Sequence, residues 1–373
     1  MRRVILIVII VVLISTIIGC WDNVEIDERV YVLAIGIDKA EIEKSEKMLF
    51  TFAFPNMQLA AGGDAGIENI VISRLGKSFY CTEERLTTRV DKDLFVGHLK
   101  VIIIGEEIAR DSDKMRGILD AFEREPLISR KVRIAIAKGN AKDVLETEGK
   151  TESLIGIFFD GLFRTRDRVH GYDAGELGRV LKRLHQYGEV TMPRITVEKE
   201  EIVLEGKAVF NDYKLVGWLD EREKQILTII REEAKTLTFS IIHDDLIIPY
   251  CVSDVKVKFS LNNENEQMKI VIEIDVEGDI RQYQFNPEED IMEPEFIKKV
   301  DKVINSTLEL KTKKLINKLQ KELKTDVIGV QSYLEKFHPK VWEKEKEDWE
   351  RTFPNLDIEI KLNTKVRRIG LTR

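Results

Sequence analysis

The sequence predicts an α+β chain of several units, with mixed and antiparallel sheets packed by helices and a long helix in the C-terminal part. Three observations carry this. Short β-branched runs alternate with amphipathic stretches between residues 30 and 188. Hairpin signals dominate from residue 202 to residue 276. One apolar stripe then runs at helical spacing from Phe296 to Leu323.

In chain order, Val30 to Ile37 ends at Asp38 and reads as a buried strand. Met48 to Phe54 is a second strand, stopped by Pro55, and Ala60 to Gly66 is a flexible loop. Lys77 to Cys81 reads as a strand and Thr82 to Val90 as a helix. Lys100 to Ile104 is strongly β-branched and is expected at the centre of a sheet. Met115, Ile118, Leu119 and Phe122 follow at i, i+3, i+4, i+7, one face of a helix. Lys131 to Ala137 returns as a strand.

Residues 141–188 read as helical. Leu154, Phe158 and Leu162 form one apolar row, and Ile155, Phe159 and Phe163 form the next. Such a segment is buried or faces a partner, and burial is the default. Arg164, Arg166 and Arg168 read as a solvated turn. Leu177, Val180, Leu181 and Leu184 mark another amphipathic helix.

Pro193 and the run Glu198 to Glu201 mark a change of composition. Ile202 to Phe210 and Lys214 to Trp218 then form a hairpin around Asn211-Asp212. A helix from about Asp220 to Ala234 buries Ile226, Leu227 and Ile230. Leu237 to Cys251 is β-rich, with a turn signal at Asp244-Asp245. Val255 to Leu261 and Lys269 to Val276 are antiparallel strands joined by a polar loop at Asn262 to Asn265. Pro294 fits the first position of the long helix, where its missing N–H costs nothing. That helix, roughly 45 Å long at 1.5 Å per residue, packs across the C-terminal sheet. Thr312 interrupts its stripe, which argues against a coiled coil. A shorter helix carries Trp342 and Trp349, seven apart on one face, and Leu356 to Arg368 alternates as a final half-buried strand. The expected division is 1–19, 20–195, 196–252 and 253–373.

The N-terminus has its own logic. Arg2 and Arg3 precede fifteen largely apolar residues, Val4 to Ile18, then Gly19-Cys20. This reads as a secretory signal and is short for a spanning helix. A cysteine directly after Gly19 marks a bacterial lipoprotein signal, in which Cys20 becomes the first mature residue and carries acyl chains. More than one chain gives stable anchoring, at roughly 0.8 kcal/mol per buried methylene. Ile17 and Ile18 are bulkier than the residues usual before a lipidated cysteine, and an uncleaved helix would also hold the chain at a membrane.

Removing residues 1–19 leaves 66 acidic residues against 59 basic ones less Arg2 and Arg3, a net charge of about −9. That sign argues against a general nucleic-acid binder. The 43% hydrophobic fraction supports packed cores rather than disorder. Beyond Cys20 only Cys81 and Cys251 remain; a disulfide is permitted in an exported protein, and two buried free thiols are the expected state.

A search for chemistry finds no candidate catalytic, cofactor or metal residue. None of the five histidines, His98, His170, His185, His243 and His338, sits at metal spacing with another His or Cys. No nucleophile elbow or phosphate-binding loop is present, and Gly171, Gly175 and Gly178 miss the dinucleotide spacing. Glu106-Glu107 suits a helix N-terminus better than a catalytic pair. Glu288 to Asp290 lacks the spacing of a calcium loop and reads as an acidic turn.

Four blocks of residues share one resemblance. The first is Gly19-Cys20-Trp21-Asp22, Glu25 and Val32 to Asp38. The second runs from Gly97-His98-Leu99-Lys100 through Val101 to Arg110, then Leu119-Asp120 and Arg124 to Pro126. The third is Glu205 to Phe210 with Leu215-Val216-Gly217 and Leu219. The fourth holds Leu319-Gln320, Asp326, Gly329, Pro339, Trp342, Trp349, Phe353 and Gly370. In this order, behind a lipoprotein signal, they resemble the Ger(x)C family, the lipoprotein C subunits of spore germinant receptors. Read bottom-up, the blocks are fold markers: Gly36 and Gly105 end strands, and the tryptophans anchor a core. Only Cys20 carries a functional role over, lipidation.

The resemblance implies an elongated body of three α+β units and no enzymatic activity or cofactor. It implies a tether to the outer face of the spore inner membrane and work with two integral membrane subunits, A and B, in nutrient-triggered germination. Two alternatives remain at this point. A solute-binding lipoprotein of a transporter would show two similar lobes around a cleft. An extracytoplasmic hydrolase would show a nucleophile or metal constellation.

Overall fold

The computed structural model describes residues 1–5, 28–41, 46–56, 68–88, 90–170, 175–234, 236–243, 246–262, 268–280 and 294–369. The N-terminal half opens with strands β1 (Arg29–Tyr31), β2 (Ala34–Lys39), β3 (Met48–Pro55) and β4 (Asn69–Gly76). Helix α1 (Phe79–Thr87), β5 (Asp93–Phe95), β6 (Val101–Gly105), α2 (Glu106–Ala109), α3 (Ser112–Arg124) and β7 (Arg133–Ala137) follow. Three helices, α4 (Ala141–Glu146), α5 (Ile155–His170) and α6 (Leu177–Tyr187), lead to β8 (Glu189–Glu198), β9 (Glu201–Asn211), β10 (Lys214–Leu219) and α7 (Glu221–Ile230).

All of these strands but β1 and β5 build one mixed eight-stranded sheet in the order β10-β9-β8-β7-β6-β2-β3-β4. Strands β2 and β7, on either side of the uniformly large β6, alternate large and small residues. Ile35, Ile37, Ile102, Ile104, Ile134 and Ile136 fill the core under α1, α3 and α6. Ala34, Ala135 and Ala137 face the other way, under α4 and α5. Small residues let those two helices approach closely. A Cβ at Gly36 would stand 3.0 Å from Leu145 Cδ1 and 3.2 Å from Ala141 Cβ.

The expected single strand from Val30 to Ile37 is broken. β1 pairs with β5 in a separate two-stranded parallel ribbon. Val32 and Leu33 cross between the two sheets, donating to Phe95 and Ala53 carbonyls at 3.0 and 2.9 Å. The strand expected at Lys77 to Cys81 is instead a helix start: the Ser78 side chain accepts the Cys81 N–H at 3.3 Å, and the edge strand β4 lies just upstream. Arg164 and Arg166 lie within α5 rather than in a turn, with Arg164 paired to Asp160 at 2.8 Å. On the same helix Ile155, Phe159 and Phe163 are buried, whereas Phe158 and Leu162 pack only at the core's margin. The four apolar residues expected on one face of α3 are all buried.

The second half holds β11 (Leu237–His243), β12 (Leu246–Asn262), β13 (Lys269–Ile280), α8 (Pro294–Asn317), α9 (Val330–Phe337), α10 (Pro339–Glu345), α11 (Trp349–Thr352) and β14 (Asp357–Ile369). The four strands form a sheet in sequence order. β12 and β13 are antiparallel, as the sequence predicts, and β14 runs parallel to β13 after the crossover through α8. Val300, Ile304, Leu308, Ile316 and Leu319 bury the expected stripe against this sheet. Thr312 is buried among them, and its hydroxyl donates to the Leu308 carbonyl at 2.8 Å, which removes the cost of a polar group there. A π-helical turn, Lys318–Leu323, ends the helix.

Residues 196–252, expected as a small unit, divide between the two sheets. β9 and β10 complete the eight-stranded sheet, while β11 and β12 open the four-stranded one. The boundary positions 195 and 253 fall inside β8 and β12. The reason is that β8 offers a free edge to β9, so the hairpin pairs there. Its turn uses Asp212 and Tyr213, with φ of 42° and 64°, one residue later than expected. The helix expected to carry both tryptophans is also broken, into α10, a 3₁₀ turn at Lys346–Asp348, and α11. Trp342 and Trp349 still meet edge to face with ring centroids 5.4 Å apart.

Candidate functional site at the junction of the two halves

Cys20, the one residue to which the sequence assigns a modification, lies outside the described residues, as do Trp21, Asp22, Glu25, Gly370, the loops at 60–66 and 263–265, Asp244-Asp245 and Glu288 to Asp290. Among the described residues no helix is long and apolar enough to cross a membrane. Among them, too, no group of three or more His, Cys, Asp or Glu is placed to hold a metal ion. Glu106 and Glu107 open α2 and pair outward, with Arg110 at 2.7 Å and Lys39 at 2.9 Å. Cys81 and Cys251 are free thiols; Cys251 is buried as expected, but Cys81 is exposed on α1. An amphipathic helix turned that position to solvent.

The family-block residues that stand apart in the chain are brought together as structural joints. Asp38, next to last in β2, accepts the N–H groups of Ala141 and Lys142 at 2.7 and 2.8 Å, capping α4 from 103 residues away. Gly105 faces that carboxylate: a Cβ there would stand 2.1 Å from Asp38 Oδ1. Close approach, rather than freedom at a strand end, is what Gly36 and Gly105 supply. Gln320 in the π-turn donates to the carbonyls of Phe353 and Leu356 at 2.9 and 2.8 Å. Trp349 and Phe353 are buried in the same core.

The densest polar cluster lies where β8 and α6 meet the turn before α9. The Asp326 carboxylate caps α9, accepting from Gly329 and Val330 on Oδ1 at 2.9 and 3.1 Å and from Gln331 on Oδ2 at 2.6 Å. Gly329 has φ of 97°, which gives the turn its direction. Glu189, the first residue of β8, accepts the Asp326 N–H at 3.0 Å and the Gln331 side-chain amide at 2.6 Å. Arg231, which caps α7, donates to the Val327 carbonyl at 2.7 Å and to the Thr191 hydroxyl at 3.1 Å. On the rim the Tyr187 hydroxyl donates to Glu335 at 2.7 Å.

Glu189 and Asp326 are 4% and 0% exposed, so their ionisation is costly. Burial pushes the Glu189 carboxyl up to about 8, and the Asp326 charge pushes the same way. Burial pushes Asp326 up to about 6 against the pull of its three backbone donors. The Arg183 guanidinium opposes both shifts, and burial lowers its own pKa. Both Glu189 oxygens accept hydrogen bonds, which suits the anion, so the two carboxyls titrate as a pair with values displaced upward. Sequence reasoning named Asp326 and Gly329 but missed Glu189, Gln331, Arg183 and Arg231. A lone acidic residue opening a strand carries no signal of burial.

Comparison with known proteins matches both halves. Residues 22–197 match the family model described as the spore germination protein N-terminal domain. Residues 205–370 match the model described as spore germination B3/GerAC like, C-terminal. The chain is 24% identical to spore germination protein YndF of Bacillus subtilis, over 98% of this chain and 96% of that one. It is 23% identical to spore germination protein A3 of the same organism, covering 94% of each chain. The fold matches the crystal structure of the GerBC protein with a TM-score of 0.63 at 19% identity, covering 89% of this chain and 96% of that one. The ordered blocks, the two matched halves and the shared fold place this chain in the Ger(x)C family of spore germination proteins.

Proposed function

We propose that this chain is a non-enzymatic C subunit of a spore germinant receptor. It is held at the outer face of the spore inner membrane through acylated Cys20 and works with the integral membrane A and B subunits in nutrient-triggered germination. The carrying observation is family membership across both halves behind the Gly19-Cys20 lipoprotein signal. The placement of the perturbed ionisable groups supports a scaffolding rather than a catalytic role. Glu189 and Asp326 bind backbone and amide groups inside the joint. Tyr250, raised chiefly by burial, donates to carbonyls within its own sheet. Catalytic groups of shifted pKa are instead expected to face a cleft.

Spores carrying Cys20→Ala test the reading. The expected outcome is a mislocalised protein and loss of one nutrient response, with a non-nutrient trigger still effective. Normal germination by every nutrient, with the variant still membrane-bound, would sink the tether. Failure of the wild-type chain to co-purify with the A and B subunits from intact membranes would sink the receptor assignment.

A further inference from the structure

The start of the body carries a recess that the joint does not explain. It encloses about 250 Å³ between β1, the ends of β3 and β4 nearest their connecting loop, and the turn at Val90–Lys92. Its wall is mostly apolar on one side: Val30 and Phe54 are buried members of the main core, with Ile70, Ile72 and Val90 partly buried against them, while Asn56 adds a polar stretch. Arg29 and Lys92 stand on its rim, with Asp91 beside them. Among the described residues neither cation has an ion-pair partner, and the Arg29 guanidinium lies over the Phe95 ring at 4.9 Å. Apolar walls under a rim with a cationic excess fit an amphiphile with an anionic head.

The position of the recess decides which amphiphile. Arg29 is nine residues past Cys20, so at 3.3–3.6 Å per extended residue the rim lies within about 30 Å of the acylated thiol. We propose that this recess seats an acyl chain of an anionic phospholipid from the tethering bilayer, with the phosphate held between Arg29 and Lys92. The inference rests on the Cys20 tether proposed above. A lipid seated there would add a second point of attachment and so orient the body on the membrane. Each methylene the recess takes from water is worth roughly fourfold in partitioning.

Full-length lipoprotein, purified in detergent and reconstituted into vesicles, tests this. The vesicles are phosphatidylcholine with and without phosphatidylglycerol, and carry a photoactivatable phosphatidylglycerol with a diazirine near the end of its acyl chain. Peptide mapping is expected to place the label on Ile70, Ile72 or Val90. The yield should fall about fivefold for each cation neutralised in Arg29→Gln and Lys92→Gln, rim changes that leave the core intact. Labelling elsewhere, or labelling indifferent to those charges, overturns the proposal. So does a recess that accepts the probe only in Cys20→Ala, because the protein's own acyl chain would then be its occupant. The intact mass reads lipidation separately. Recess labelling with an unmodified Cys20 would refute the tether reading and leave the lipid site standing.

Discussion

Glu189 accepts the backbone N–H of Asp326 at 3.0 Å, joining the first residue of a strand in the eight-stranded sheet to the turn that launches α9 in the other half. The contact spans 137 residues of sequence and is buried. Two carboxyls in one dry site are tolerable only because backbone N–H groups, an amide and the nearby Arg183 answer them.

This pair makes stability depend on pH. A carboxyl whose folded pKa lies above its unfolded value contributes stability that is full below the unfolded value, and loses it as pH rises through the folded one. Asp326 at about 6 and Glu189 at about 8 therefore destabilise the fold progressively from about pH 4 to about pH 8. Thermal unfolding of wild type and Glu189→Gln across this range checks it. The variant should show a shallower fall above about pH 6, whatever its absolute stability. Parallel curves would show that Glu189 is ionised throughout.

Asp326→Asn should cost about 2 kcal/mol near pH 7, because its amide would face an N–H of Val330 or Gln331 that needs an acceptor. Denaturant unfolding measures this, and an unchanged midpoint would mean the turn re-caps itself.

Asp38 and Gly105 form a second testable unit. Asp38→Ala strips two backbone donors of their acceptor and should cost about 1–3 kcal/mol. Gly105→Ala should cost a similar amount by displacing the same carboxylate. In a double-mutant cycle the losses should fall well short of additive, since both act on one cap. Full additivity would show that the two side chains act independently.

Gln320→Leu should destabilise by about 2–3 kcal/mol, because it leaves the carbonyls of Phe353 and Leu356 buried without that donor. Chemical denaturation reads the loss.

The two thiols should separate by reactivity. Cys81 should react with a thiol reagent in the native protein, and Cys251 only on unfolding. Equal protection would place Cys81 inside a contact that the isolated chain does not show.

The sequence by itself determined the elements with a strong local period and the family. Met115, Ile118, Leu119 and Phe122 share one face because helical spacing admits no other arrangement, and the stripe from Val300 to Leu319 lies on its sheet for the same reason. The four blocks identified the family because their order survives where overall identity is low. Which strand pairs with which was decided only in three dimensions. Val30 to Ile37 is uniformly apolar, so nothing local marks the place where it leaves one ribbon for the larger sheet. Residues 202–218 read as a hairpin, but its sheet was set by the open edge of β8. The joint was hidden for a further reason. Glu189, Asp326 and Gln331 are polar residues that ordinarily face water, and only packing of the two halves buries them where each must find a partner.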